Sequence, residues 1–171
     1  MKVLIAQEVI RERVREIGSL ISKEYDGKDL VVVGVLKGAF VFMADLIRAI
    51  SVPLHCEFLH VSSYEKNRST GNVRIDFDLT QSVAGKHVLL VEDIVDTGRT
   101  LRFLLDHLKS KKPASVTVCS LLYKEIDPAI RPLIDYLGFT IPKEYVVGYG
   151  MDDGGMLRSL PDIRIVQKGP A

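Results

Sequence analysis

The chain has 171 residues, of which 47% are hydrophobic and 26% charged, a composition that fits one globular domain and excludes a disordered chain or a coiled coil. Lys plus Arg number 23 against 22 Asp plus Glu, so no broad positive field exists to gather nucleic acid or anionic membrane, and phosphate must be gripped locally. No apolar run approaches the ~20 residues of a membrane span, and the amino terminus lacks a basic-then-apolar signal segment, which predicts a soluble cytoplasmic protein with no membrane partner.

Val9, Ile10, Val14, Ile17, Leu20 and Ile21 recur at helical spacing among charged residues, predicting an amphipathic helix that ends near Asp26-Gly27. Leu30 to Leu36 is a continuous, mostly β-branched run, the pattern of a central parallel strand buried on both faces. Ala39 to Ile50 reads as a largely buried helix and Leu54 to Val61 as a second strand, completing a β-α-β unit. Cys56 and Cys119 both sit in apolar stretches and are expected to be packing residues. The polar stretch from Ser62 to Gly71 has no periodicity and predicts a mobile loop, after which Val73, Ile75, Phe77 and Leu79 alternate as a half-exposed, antiparallel strand. His87 to Val91 is another buried strand, followed by an acidic turn and a helix carrying Leu101, Leu104, Leu105 and Leu108. Val116 to Leu122 is the next strand. From Asp127 the pattern loosens around Pro128, Pro132 and Pro142, which suggests a small appended subdomain. Alternating strands and helices predict an α/β fold with a central, mainly parallel twisted sheet flanked by helices. Such sheets bind ligands beyond the carboxyl ends of their strands.

The acidic turn is the candidate site. Glu92 and Asp93 follow the buried run directly and are expected to emerge where the strand leaves the core. Thr97-Gly98-Arg99-Thr100 then opens a helix, whose N-terminal N–H groups and dipole favour an anion. Carboxylates for a diol or metal beside a nest for a monophosphate match a ribose 5-phosphate. A solvated turn with a helix cap is the plainer alternative. No P-loop occurs, because Gly85-Lys86-His87 precedes a strand instead of a helix. His55, His60, His87 and His107 show no metal spacing.

Val91-Glu92-Asp93-Ile94-Val95-Asp96-Thr97-Gly98-Arg99-Thr100-Leu101 resembles the phosphoribosyl pyrophosphate (PRPP) motif of type I phosphoribosyltransferases. Gly34 to Gly38, Ser62-Ser63-Tyr64, and Lys124 followed by Pro142 to Tyr149 narrow the resemblance to the hypoxanthine-guanine phosphoribosyltransferases, over Val31 to about Pro161. The resemblance implies that family's fold: one domain over 1–171, with a flexible catalytic loop and a small hood formed by the N-terminal segment and about 125–171. It implies purine salvage, in which PRPP and hypoxanthine or guanine give the nucleoside monophosphate and pyrophosphate with Mg²⁺.

By the same resemblance, Glu92, Asp93, Ile94, Val95, Asp96, Thr97, Gly98, Arg99 and Thr100 would bind PRPP and its 5-phosphate, and Asp96 would take the proton from purine N7. Lys37, Gly38 and Arg158 would contact pyrophosphate, with a cis Leu36-Lys37 peptide. Ser63 and Tyr64 would start the catalytic loop. Lys124, Tyr145, Val146 and Asp152 would hold the purine, Tyr145 by stacking and Lys124 by donating to a 6-oxo group. Glu92, Asp93 and Asp152 would be the metal contacts. The stretch Asp153-Gly154-Gly155-Met156-Leu157 departs from the aromatic residue that the family usually carries there. A homodimer or homotetramer is the implied assembly. Two alternatives stand beside this reading: an RNA-binding transcriptional regulator on the same fold, and a phosphoribosyltransferase with xanthine or pyrimidine specificity.

Overall fold

A computed structural model describes residues 1–64 and 72–166. In chain order its elements are β1 (Lys2–Ile5), α1 (Gln7–Glu24), β2 (Leu30–Leu36), α2 (Phe40–Ala49), β3 (Leu54–Tyr64), β4 (Asn72–Phe77), β5 (His87–Val95), α3 (Arg99–Ser110), β6 (Ser115–Lys124), β7 (Tyr136–Ile141), β8 (Val146–Val147) and β9 (Ile163–Ile165). The main sheet has the order β4-β3-β2-β5-β6-β7, parallel throughout except for β4 on β3. A second, antiparallel sheet, β1-β9-β8, joins the first residues of the chain to its last described strand.

The buried runs account for the layering. Successive side chains of a strand point to opposite faces. Leu30 and Val32 of β2 and Leu89 and Val91 of β5 therefore join the core under α1 and α2, while Val31, Val33, Val88 and Leu90 join the core under α3. Both central strands are covered on both faces, as their sequences predict. Gly18 lets α1 approach α2 closely, since a Cβ there would lie 2.6 Å from the Ala49 backbone oxygen.

Five expectations need correction. β5 does not stop at Val91: its ladder continues with Glu92 opposite Ser120, Ile94 opposite Leu122 and Val95 opposite Tyr123, so Glu92 and Asp93 lie within the strand. The apolar run ends at Val91, but the backbone keeps pairing because β6 runs on beside it to Lys124. β3 likewise runs on through Ser62, Ser63 and Tyr64, which pair with Arg74, Val73 and Asn72 of β4 and so belong to a hairpin stem. The rest of the expected loop, Glu65 to Gly71, lies outside the described residues. Tyr136 to Ile141, expected in an appended segment, forms the parallel edge strand of the main sheet. Ala39 to Ile50 is buried along one face only, with Phe40 44% exposed. Cys56 is exposed while Cys119 is buried, because one face of β3, one strand in from the sheet edge, leaves Cys56 and its same-face neighbour Phe58 open. β1 was not apparent in the sequence pattern.

Candidate active site

Three loops at the carboxyl ends of β2, β5 and β6 meet. β2 ends at a cis Leu36-Lys37 peptide, as the resemblance implies. At the next residue, Gly38, a Cβ would fall 1.6 Å from Asp93 Oδ2, so the Asp93 carboxylate rests directly on glycine backbone. Asp93 Oδ1 accepts the Ile94 N–H at 2.8 Å. Beyond β5 the chain turns through Gly98 at φ +71°, where a Cβ would also meet Ile130 Cδ1 at 2.3 Å, so only glycine fits. α3 has no side-chain cap, and its own ladder begins with Arg102 N–H to Gly98 O at 2.9 Å. The N–H groups of Thr100 and Leu101 thus have no acceptor within the helix. They border a cavity of about 270 Å³ lined by Glu92, Asp93, Ile94, Val95, Asp96, Thr97, Gly98, Arg99 and Thr100. The expected phosphate segment is therefore assembled around one concavity at a helix N-terminus, the arrangement that holds anions.

A second cavity of about 290 Å³ shares Gly38, Asp93 and Ile94 with the first and adds Lys37, Lys124, Tyr145, Val146, Asp152 and Arg158. Lys124 is the last residue of β6, and its Nζ donates to Asp96 Oδ2 at 3.1 Å. Asp96 Oδ1 is buried and has no hydrogen-bond partner among the described residues. An oxygen in that state costs free energy unless a ligand supplies a donor. Tyr145 is 38% exposed, and its hydroxyl donates toward Asp152 O and Asp153 Oδ1, each at 3.2 Å. Val146 is held in β8 opposite Ile165.

Arg158 reaches the second cavity despite the glycines before it. Its Nη1 donates to Gly150 O at 2.6 Å and its Nη2 pairs with Asp152 Oδ1 at 2.6 Å. Gly154 and Gly155 both have positive φ, and the turn they make brings Gly155 N–H to Asp152 Oδ2 at 2.7 Å. The two glycines thus give Asp152 a backbone clasp. Gly150 went unremarked in the sequence: a Cβ there would lie 2.3 Å from Gly38 O, and its carbonyl holds Arg158. The signal was the alternation Gly148-Tyr149-Gly150, a rare pattern in an apolar strand end.

Burial dominates the electrostatics. It raises the Glu92 carboxyl well above its ordinary range, with the neighbouring Asp93 adding to the effect. Asp93 is pushed up to about 6, chiefly by burial, while the Ile94 N–H and Arg158 pull the other way. The three acids Glu92, Asp93 and Asp152 do not form one cluster: among the described residues no group of three potential metal-ligating side chains converges. Glu92 and Asp93 are consecutive in a strand, and the pleat sends their side chains to opposite faces. That donor set fits Mg²⁺ only in its usual manner, one or two carboxylates plus substrate phosphates and water. Ser63 and Tyr64 contribute strand backbone at the end of β3. Two of the histidines pair within the fold: His87 Nδ1 with Ser115 Oγ at 2.8 Å and His107 Nε2 with Asp78 Oδ1 at 3.0 Å.

Residues 5–153 match the family model described as phosphoribosyl transferase domain. The chain is 45% identical to the hypoxanthine phosphoribosyltransferase of Haemophilus influenzae, over 92% of this chain and 90% of that protein. It is also 45% identical to the bifunctional protein TilS/HprT of Listeria innocua over 97% of its own length, and spans 26% of that longer relative. Among solved structures, a hypoxanthine phosphoribosyltransferase from Staphylococcus aureus superposes with a TM-score of 0.89 at 42% identity, covering 98% of this chain and 91% of that one. The hypoxanthine-guanine phosphoribosyl transferase of L. donovani gives 0.91 at 36% identity, covering 98% and 97%. With the PRPP motif on one cavity and this likeness over nearly its whole length, the chain belongs to the phosphoribosyltransferase family, among the hypoxanthine-guanine phosphoribosyltransferases.

Proposed function

We propose that this chain transfers the 5-phosphoribosyl group of PRPP to hypoxanthine or guanine, releasing pyrophosphate and yielding IMP or GMP for purine salvage. The observation that carries the reading is the meeting of two cavities at Gly38, Asp93 and Ile94, one at the N-terminus of α3 and one walled by Tyr145, Lys124 and Arg158. A phosphorylated sugar in the first would place its anomeric carbon toward the second, where base and pyrophosphate flank it.

The new bond joins a purine nitrogen to C1′ as the bond from C1′ to the pyrophosphate oxygen breaks. The proton released by the base passes to Asp96 Oδ1, the buried oxygen lacking a partner, while Lys124 fixes the other oxygen at 3.1 Å. Lys124 keeps further N–H bonds to give a 6-oxo group, which favours oxopurines over adenine. Tyr145 stacks on the base and Val146 offers its backbone to the purine edge. Asp96 to Thr100 cradle the 5-phosphate, Glu92 and Asp93 take the ribose hydroxyls, and Lys37, Gly38 and Arg158 receive pyrophosphate. Mg²⁺ would be held by one or two of the carboxylates of Glu92, Asp93 and Asp152 together with substrate oxygens and water, and would supply charge neutralisation of the leaving group. Ser63 and Tyr64, at the end of β3, lead into the segment that would exclude water from the reacting carbon. The small β1-β9-β8 sheet acts as the hood. The protein works in the cytoplasm as a homodimer or homotetramer, a reading supported by exposed Phe40, Phe58 and Phe77.

The relatives' names favour a transferase over an RNA-binding regulator. The test is steady-state kinetics with hypoxanthine, guanine and xanthine at saturating PRPP, with and without Mg²⁺. Metal-dependent formation of IMP or GMP is expected; turnover of xanthine or a pyrimidine alone, or of no base, overturns the reading.

A further inference from the structure

A third cavity, of about 350 Å³, lies away from β5 between α1 and α2. Its rim carries three guanidinium groups, from Arg11 and Arg15 on α1 and Arg48 on α2, and Asp45 is its one acid. Arg11 and Arg15 stand one turn apart, where like charges repel. Neither forms an ion pair or side-chain hydrogen bond among the described residues, although α1 also carries Glu8, Glu12 and Glu16, and Glu16 is committed to Arg13. Asp45 is already engaged from two sides, by Arg48 and by the Tyr149 hydroxyl, which donates to Oδ2 at 2.6 Å. In a chain of net charge +1, the groove therefore concentrates an excess of two positive charges, three arginines less one aspartate. Its floor is apolar, with Val14 and Ala49 between the arginines. Guanidinium forks on facing helices suit phosphate oxygens, which they grip in pairs.

We propose that this groove is a second ligand site, for a small polyanion bearing two or more phosphates, and that its occupancy is relayed to the active site through Tyr149. The relay has a physical path. An anion that draws Arg48 away from Asp45 changes the partner of the Tyr149 hydroxyl. Tyr149 sits at φ +49° beside Gly150, whose carbonyl holds Arg158 and whose Cα packs on Gly38. The site itself stands independently of the proposed reaction, because it rests on different residues.

The test is an NMR titration with inorganic tripolyphosphate, following arginine Nε–Hε and backbone amide signals of the full chain. Signals of Arg11, Arg15 and Arg48 should move together with the Gly150 amide and saturate at one dissociation constant. The exposed double variant Arg11→Ala/Arg15→Ala should bind at least tenfold more weakly there and keep its thermal midpoint and basal turnover. A parallel titration with a nucleoside diphosphate separates the ligand's source: equal affinity means that phosphates alone are read, and tighter binding means that the apolar floor holds a nucleoside. Shifts confined to residues 92–101 would overturn the site, and arginine shifts with a stationary Gly150 amide would overturn the relay. Dissociation of an oligomer by the double variant, with no tripolyphosphate binding to wild type, would identify the groove as a subunit contact and also overturn the proposal.

Discussion

Gly38→Ala tests how tightly the two cavities are welded. The added Cβ would lie 1.6 Å from Asp93 Oδ2, whereas a carbon–oxygen contact needs about 3.2 Å, so the carboxylate must retreat by roughly 1.5 Å. Misplacement by about 1 Å costs on the order of 100-fold in rate, near 2.7 kcal/mol in the barrier. The fold should survive. Overpacking costs about 1–3 kcal/mol, and the stiffer unfolded chain returns about 0.4–1 kcal/mol. Asp93 is itself uncomfortable where it sits, pushed up to about 6 mainly by burial, so moving it toward water recovers part of the strain. The expected result is a drop of a few degrees in thermal midpoint, with kcat/KM for PRPP and hypoxanthine reduced ~100-fold in an absorbance assay. Folded Gly38→Ala protein with kcat/KM within threefold of wild type would refute the idea that Asp93 is positioned by glycine backbone.

Asp96→Asn should lower kcat by about 10²- to 10⁴-fold, the range for a lost general base, while PRPP affinity changes little; equal losses in both would argue against a proton-accepting role. Gly98→Ala forces a side chain into left-handed backbone and against Ile130 Cδ1 at 2.3 Å, so it should lose at least ~1–2 kcal/mol and raise the KM for PRPP, measured by denaturant unfolding and initial rates. Burial pushes the Asp78 carboxyl up, but hydrogen bonds from Lys111, His107 and the Leu79 N–H outweigh it and hold it at about 2. A depressed acid stabilises fully above its unfolded value of about 3.9 and loses that contribution as pH falls toward 2. Asp78→Asn should accordingly be less stable than wild type at pH 7, by under ~1 kcal/mol because the pair is partly solvated, and the gap should close near pH 2 in acid-unfolding curves.

The parts of the fold governed by burial were legible. Leu30–Leu36, with apolar residues on every position, could only be a central strand, and the leucines from Leu101 to Leu108 could only face a core. Strand length was less legible, because backbone pairing is set by the neighbour. Glu92 and Asp93 break the apolar run of β5, yet β6 carries the ladder past them, so Glu92 ends up buried and Asp93 half-buried within the strand. That error matters chemically, since burial is what raises their proton affinity. The helix N-terminus after Thr97 was readable because its glycine and threonines act through local backbone. Gly38, by contrast, was singled out only as a pyrophosphate contact; that it is a seat for Asp93, 55 residues later, is a tertiary fact. Lys124 and Asp96 were each singled out, but their mutual ion pair depends on the register of β6 beside β5. Tyr136–Ile141 carries Gly138 in its middle, which weakens the strand pattern; that glycine is needed because a Cβ would lie 2.3 Å from Leu121 O.

The segment from Glu92 to Thr100 is the centre of the whole account, and a crystal structure with IMP or GMP bound addresses it most directly. The 5-phosphate should sit at the N-terminus of α3 on the Asp96–Thr100 backbone, with the purine between Tyr145 and Lys124 and its N7 facing Asp96 Oδ1. Phosphate density in any other place, with the α3 cavity holding only water, would contradict the account.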